Sequence, residues 1–147
     1  GNTNTDGTAV GTNYEGEIWI GKADDSGNMS EEGHSFASRP TALTFYYKYN
    51  PTDDNKFFVH TWVKDSAGNV IAEGVVSDGP AAGNWTKYTL NYTYSVLDKK
   101  AAKIFIRFSS CYGDGSVSTK QSFELGGTSV TAHAGSWLEL DDIELVY

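Results

Sequence analysis

The chain predicts an all-β fold, a sandwich of two antiparallel sheets. Three observations carry this expectation. Short segments rich in Val, Ile, Thr, Tyr, Phe and Trp recur along the length, each bounded by Gly, Asn, Asp or Pro. Within several of them apolar residues alternate with polar ones at period two. Helical periodicity is nearly absent, and residues 95–102 (SVLDKKAA) read as a loop or single turn. With 147 residues the chain is long enough for one domain with a sizeable core.

The first expected strand is residues 17–22 (EIWIGK), followed by a long polar loop over 23–38. Arg39-Pro40 opens the second, residues 41–49 (TALTFYYKY). An Asn-Pro-Thr-Asp-Asp turn leads to the third, residues 57–64 (FFVHTWVK). Asp65-Ser66-Ala67-Gly68-Asn69 has hairpin-turn composition, and residues 70–77 return from it. Residues 85–94 (WTKYTLNYTY) and 103–110 (KIFIRFSS) are the fifth and sixth strands. The stretch 112–136, rich in Gly, Ser and Thr, holds one weak strand near 121–125, and residues 137–147 close the chain. Residues 1–15 read as a polar N-terminal segment and 16–147 as a single domain.

Alternation assigns faces. Leu43, Phe45, Tyr47 and Tyr49 share one side of the second strand, Phe57, Val59, Thr61 and Val63 one side of the third, and Ile104, Ile106 and Phe108 one side of the sixth. These are the expected core, joined by Tyr88, Leu90, Tyr92 and Tyr94. The opposite faces carry Tyr46 and Lys48, then His60 and Trp62, then Arg107. If these strands are neighbours, one outer face presents aromatic rings beside hydrogen-bonding cations. Two readings fit it. Sugars lay C–H patches on rings and offer hydroxyls to forked donors, so Tyr46, Lys48, His60, Trp62 and Arg107 form a candidate glycan-binding set. Alternatively a loop or another domain covers the face and the aromatics are simply buried.

In the last strand Leu138 and Leu140 are out of phase with Ile143, Leu145 and Tyr147, so a bulge is expected at Asp141-Asp142. A carboxylate re-aimed there, Asp141 or Asp142, would meet Glu15 or Glu17 near the first strand if the terminal strands are neighbours, and together they would offer oxygens to calcium. The other reading is a pair of solvated carboxylates.

Several functions are disfavoured. The net charge of −8 argues against nucleic acid and anionic membrane surfaces. The single cysteine, Cys111, excludes an intramolecular disulfide and is expected to be a buried small side chain. Paired catalytic carboxylates lack an apolar setting to raise a pKa, no G-x-S-x-G is present, and no phosphate-cradling loop precedes a helix. The expectation is a domain without catalytic residues. No stretch is long and apolar enough for a membrane helix, and no signal peptide is present, as in a mature or trimmed chain.

Two segments, Gly16-Glu17-Ile18-Trp19-Ile20-Gly21 and the run from Phe36 through Arg39-Pro40 to Phe45-Tyr46-Tyr47-Lys48-Tyr49, resemble the putative carbohydrate metabolism domain of Bacteroidetes surface lipoproteins. The ending Gly135-Ser136-Trp137-Leu138-Glu139-Leu140-Asp141-Asp142-Ile143-Glu144-Leu145 fits that family too, and is similar to the closing strand of jelly-roll carbohydrate-binding modules. The resemblance implies a jelly-roll, galactose-binding-like sandwich and a cell-envelope location, at the outer-membrane surface or in the periplasm. It implies a glycan partner, with another protein domain or a role as accessory domain of a glycoside hydrolase as alternatives. It makes Asp142 the candidate ligand for a structural calcium ion. It carries no catalytic residues.

Overall fold

The computed structural model describes residues 17–23, 25–26, 29–30, 32–52, 55–111, 120–125, 128–133 and 136–147. Among these the chain forms only strands, turns and loops. In order they are β1 (Glu17–Ile20), β2 (Lys22–Ala23), β3 (Met29–Ser30), β4 (His34–Ser35), β5 (Ala42–Asn50), β6 (Phe57–Lys64), β7 (Val70–Gly79), β8 (Ala82–Asn91), β9 (Thr93–Tyr94), β10 (Lys103–Ser109), β11 (Lys120–Leu125), β12 (Thr128–His133) and β13 (Trp137–Val146).

Two antiparallel sheets pack as a sandwich. The larger has the order β1-β10-β6-β7-β9, with β4 also paired to β10. The smaller is β13-β5-β8. Short hairpins β2-β3 and β11-β12 stand apart from both. Residues 71, 72 and 76 of β7, with the expected inward sets of β5, β6 and β10, supply most of the core between the sheets. Phe45 is its hub. Its ring stacks on Tyr88 within the smaller sheet (5.4 Å, 14°) and meets Phe108 of the larger edge-on (5.1 Å, 85°). Such pairs add about 0.5–1.5 kcal/mol beyond area burial.

The expected strand 85–94 is two strands that change sheets. β8 pairs with β5, whereas β9 crosses over to pair with β7. Tyr92 sits at the crossing, its N–H bonded to the Thr41 carbonyl (3.0 Å). Its hydroxyl lies 2.7 Å from Thr61 Oγ1. Because the Thr61 hydroxyl donates to the Phe105 carbonyl (2.8 Å), Tyr92 is the donor of that pair. Burial pushes the Tyr92 phenol up to about 12. Tyr49 is likewise pushed up to about 12 by burial while donating to the Ser110 carbonyl (2.7 Å).

The hairpin turn between β6 and β7 follows its composition. Asp65 Oδ1 accepts the backbone N–H groups of Ala67 and Asn69, both at 2.9 Å. Gly68 takes a φ of +88°, where a Cβ is strained. The Asn69 N–H is the main cause holding the Asp65 carboxyl below the usual range. Arg39 explains the Arg-Pro pair before β5. Its guanidinium lies 4.3 Å from the Tyr94 ring centroid and donates to the Val96 carbonyl (3.1 Å) and to the Lys99 carbonyl, stapling the helix-free loop over 95–102. Cys111 is buried.

Candidate functional site

Strand order divides the five expected site residues. β6 and β10 are neighbours, so His60 and Arg107 lie directly opposite each other, beside Trp62 opposite Phe105. β5 is in the other sheet, so Tyr46 and Lys48 face outward on the far side of the sandwich. The expectation of one shared face therefore holds for three residues and fails for two. The reason is topological: β5 pairs with strands distant in sequence, β13 and β8, which alternation alone cannot reveal.

The outer face of the larger sheet is closed over its aromatics. Trp62 is 5% exposed, its indole stacked on Phe105 (4.0 Å, 22°). Gly21 lies against the other ring: a Cβ there would stand 2.8 Å from Phe105 Cδ2. His60 tilts against Trp62 (4.7 Å), and the Lys64 ammonium lies 5.2 Å from the indole centroid. The polar groups already have partners, His60 with Glu73 (2.6 Å) and Arg107 with Glu17 (3.1 Å). A small pocket of about 140 Å³ lies between His60, Trp62, Lys64, Val70 and Glu73. The Trp62 Nε1 is buried without a hydrogen-bond partner among the described residues. As it stands this face offers a sugar no open ring of Trp62.

The outer face of the smaller sheet is open. Tyr46 is central, 37% exposed, with Asp141 of β13 opposite on one side and Lys87 of β8 on the other. Trp85 (44% exposed) and Trp137 (57%) flank it on the two outer strands. Interactions link these groups across all three strands. The Lys48 ammonium lies 4.7 Å from the Trp85 ring centroid and 3.6 Å from Glu139 Oε2. Glu139 in turn accepts from the Trp137 indole N–H (3.1 Å). The Lys87 ammonium sits 5.9 Å from the Tyr46 ring centroid.

Two local devices place the tryptophans. Tyr47 pairs with Thr86 but Tyr49 with Ala82, so Gly83, Asn84 and Trp85 lie opposite Lys48 alone. The Thr86 hydroxyl donates to the Asn84 carbonyl (3.0 Å) and closes this bulge. At the other strand, Ser136 Oγ accepts from the Thr52 N–H (3.0 Å) and from Asn55 Nδ2 (2.5 Å). Those bonds pin the residue before Trp137 to the β5–β6 connection.

The bulge expected in the closing strand is present. Asp141 pairs with Tyr46 and Glu144 with Thr44, leaving Asp142 and Ile143 opposite Phe45. Asp142 has a φ of +47° and is exposed, and its N–H bonds Asp141 Oδ1 (2.8 Å). Glu17 and Asp142 lie in different sheets, and Glu15 lies outside the described residues. Among the described residues no group of three or more His, Cys, Asp or Glu is placed to hold a metal ion.

Trp85, Lys87, Trp137 and Glu139 are the site residues that sequence reasoning missed. The signal was present. Trp85 falls in the polar phase of its strand with Lys87 and Thr89, and Trp137 falls in phase with Glu139 and Asp141, opposite Leu138 and Leu140.

A second surface lies where the edge strands β1 and β13 stand at the same side of the sandwich. A cavity of about 390 Å³ is lined by Ile18, Phe108, Leu138 and Leu140, and one of about 580 Å³ by Ile20, Phe36, Ile143 and Leu145. Ile18, Ile20, Ile143 and Tyr147 are exposed there.

No family model matches the chain, and no curated protein matches it. Two solved structures do. One is a putative glycoside hydrolase from Bacteroides thetaiotaomicron, with a TM-score of 0.62 at 20% identity over 90% of this chain. The other is a putative glycoside hydrolase from Bacteroides vulgatus, with a TM-score of 0.60 at 19% identity, again over 90%. The chain spans 47% and 64% of those two proteins. The likeness is one of fold.

Proposed function

We propose that this domain is a non-catalytic glycan-binding module of a bacterial cell-envelope protein, related to the putative carbohydrate metabolism domains of Bacteroidetes surface lipoproteins. The observation that carries the reading is the open face of the smaller sheet, where Tyr46, Trp85 and Trp137 stand exposed among Lys48, Lys87, Glu139 and Asp141. Solvated sheet faces are ordinarily polar, and contiguous exposed aromatics mark interaction surfaces. Rings bind the apolar faces of sugars, while ammonium and carboxylate groups donate to and accept from hydroxyls. Likeness in fold to Bacteroides proteins described as putative glycoside hydrolases supports the carbohydrate reading, including the version in which this is an accessory domain beside a catalytic one.

A second reading rests on a separate observation. The apolar seam between β1 and β13 has exposed isoleucines and two unpaired strand edges among the described residues, which suits contact with another protein domain.

A glycan array probed with the domain in calcium, and again in chelator, tests the proposal. Binding to a defined glycan class that Trp85→Ala abolishes is the expected result, and calcium dependence would add Asp142 to the site. Silence across a broad array, with a dimer in solution that sugars leave undisturbed, overturns it in favour of the seam.

A further inference from the structure

We propose that the open face takes the interior of an extended, neutral polysaccharide chain, with Trp85 and Trp137 as the two stacking positions and the Lys48–Glu139 pair contacting the sugar between them. This rests on the glycan reading of the same face and specifies its ligand.

Placement carries the argument first. β8 and β13 flank β5, and strand neighbours stand about 4.8 Å apart, so the outer strands are about 10 Å from each other. Trp137 pairs with Asn50, whereas Trp85 lies opposite Lys48, two residues along β5. That offset adds about 7 Å along the strand, and the two tryptophan backbones are about 12 Å apart on a diagonal. A pyranose ring spans only about 5 Å from one linkage oxygen to the next, given bonds near 1.5 Å. A single sugar is much shorter than this backbone separation, whereas an extended chain matches it.

The middle of that path is polar in a way a sugar ring can use. Lys48 and Glu139 are both about one-third exposed (34% and 37%), so the pair offers ammonium donors and carboxylate acceptors at one point. Glu139 is already oriented by the Trp137 indole N–H, and Lys48 by the Trp85 ring, so the four groups form one chain across the sheet. Little ordering is then required of the protein on binding.

The ends of the path are open. Among the described residues β8 and β13 each pair only with β5, so both are edge strands, and nothing lies within 4 Å of a Cβ built at Gly83 beside Trp85. A site for a chain end would need a wall that stops the polymer. Here the chain can pass over both edges.

Charge points to neutral sugars. Lys48 and Lys87 are matched on this face by Glu139 and Asp141. Among the described residues the face holds no excess of cation to recruit uronates, and the chain as a whole carries −8.

The test is calorimetric titration of the domain with neutral β-linked gluco-, xylo- and manno-oligosaccharides, from monosaccharide to hexasaccharide, alongside uronate oligosaccharides. Affinity for one neutral series should rise steeply from monosaccharide to tri- or tetrasaccharide and then level off. Trp85→Ala and Trp137→Ala should each weaken the longer ligands by at least about tenfold, as stacking anchors do. Trp85→Tyr should restore part of that loss, and Lys48→Met should weaken binding less than either alanine variant. Thermal melts of the variants separate lost contacts from lost folding. Equal affinity for monosaccharide and hexasaccharide, or preference for uronate chains, overturns this inference while leaving glycan binding in place. Absence of binding to every series removes the glycan reading and this inference together.

Discussion

Trp62 separates the two faces of the sandwich experimentally, because the sequence casts it as a sugar platform and the structure buries it. A tryptophan buries up to about 250 Å², and this one is 5% exposed. At about 25 cal/mol per Å², truncation to alanine forfeits about 5 kcal/mol of transfer free energy as an upper estimate. Measured Trp→Ala costs of about 3–5 kcal/mol bracket that figure. For a domain of this length each kcal/mol moves Tm by about 2–4 °C, so Trp62→Ala should lower it by about 6–20 °C. Trp62→Phe should behave differently. It keeps a ring on Phe105 and deletes an indole N–H that is buried without a partner among the described residues, a burial that itself costs about 1–3 kcal/mol. The gain offsets the lost ring area, and Tm should stay within a few degrees. Scanning fluorimetry and denaturant melts give both numbers, and glycan titration of Trp62→Phe should match wild type. If Trp62→Ala leaves Tm within about 2 °C while abolishing glycan binding, the indole is a ligand surface and the burial argument is wrong.

Tyr49 and Tyr92, both pushed up to about 12 by burial, should stay protonated well above the ordinary phenol range. Their folded pKa values exceed the unfolded value near 10, so their contribution is complete below about pH 10 and fades as pH rises toward about 12. Absorbance titration of phenolate should show late tyrosines, Tyr49 and Tyr92 among them, ionising together with alkaline unfolding, and ionisation of all tyrosines near pH 10 in folded protein would refute it. Asp65 is shifted the other way, so its contribution is present above the unfolded value near 4 and is lost as pH falls through its lower folded pKa. Asp65→Ala should lower Tm at neutral pH and flatten its decline on the acid side, and an unchanged acid profile would contradict this. Gly79 pairs with Phe57, and a Cβ there would run into the Phe57 ring, so Gly79→Ala should cost about 1–3 kcal/mol in denaturant melts. A neutral result would mean that the ring moves aside freely.

Period-two alternation was enough to assign the inward sets of β5, β6 and β10, because a side chain's face follows from its parity once the strand is recognised. The bulge at Asp141-Asp142 was legible for the same reason: two apolar runs out of phase need one extra residue between them. Parity also marks Trp85 and Trp137 as outward, although Trp137 opens its strand and Trp85 opens the one expected from the sequence, where turn residues and strand residues are hard to tell apart. Sheet membership was not legible. Tyr46 and His60 have equivalent local patterns, and only long-range pairing with β13 and β8, as against β10 and β7, sends them to opposite sides. The crossing at Tyr92 was hidden likewise, since an uninterrupted apolar alternation continues through a strand that changes sheets. Nor could parity distinguish an outward aromatic in water from one that is covered. Trp62 is buried by Phe105 and its neighbours, contacts that depend on strands far apart in sequence.

The chain has four tryptophans, and each indole N–H reports separately in a nitrogen–proton correlation spectrum. Titration with the preferred neutral oligosaccharide tests the assignment of the binding face most directly. The account predicts that the Trp85 and Trp137 indole signals shift while those of Trp62 and Trp19 stay in place. Movement of the Trp62 signal, with Trp85 and Trp137 unmoved, would put the ligand on the larger sheet and contradict it.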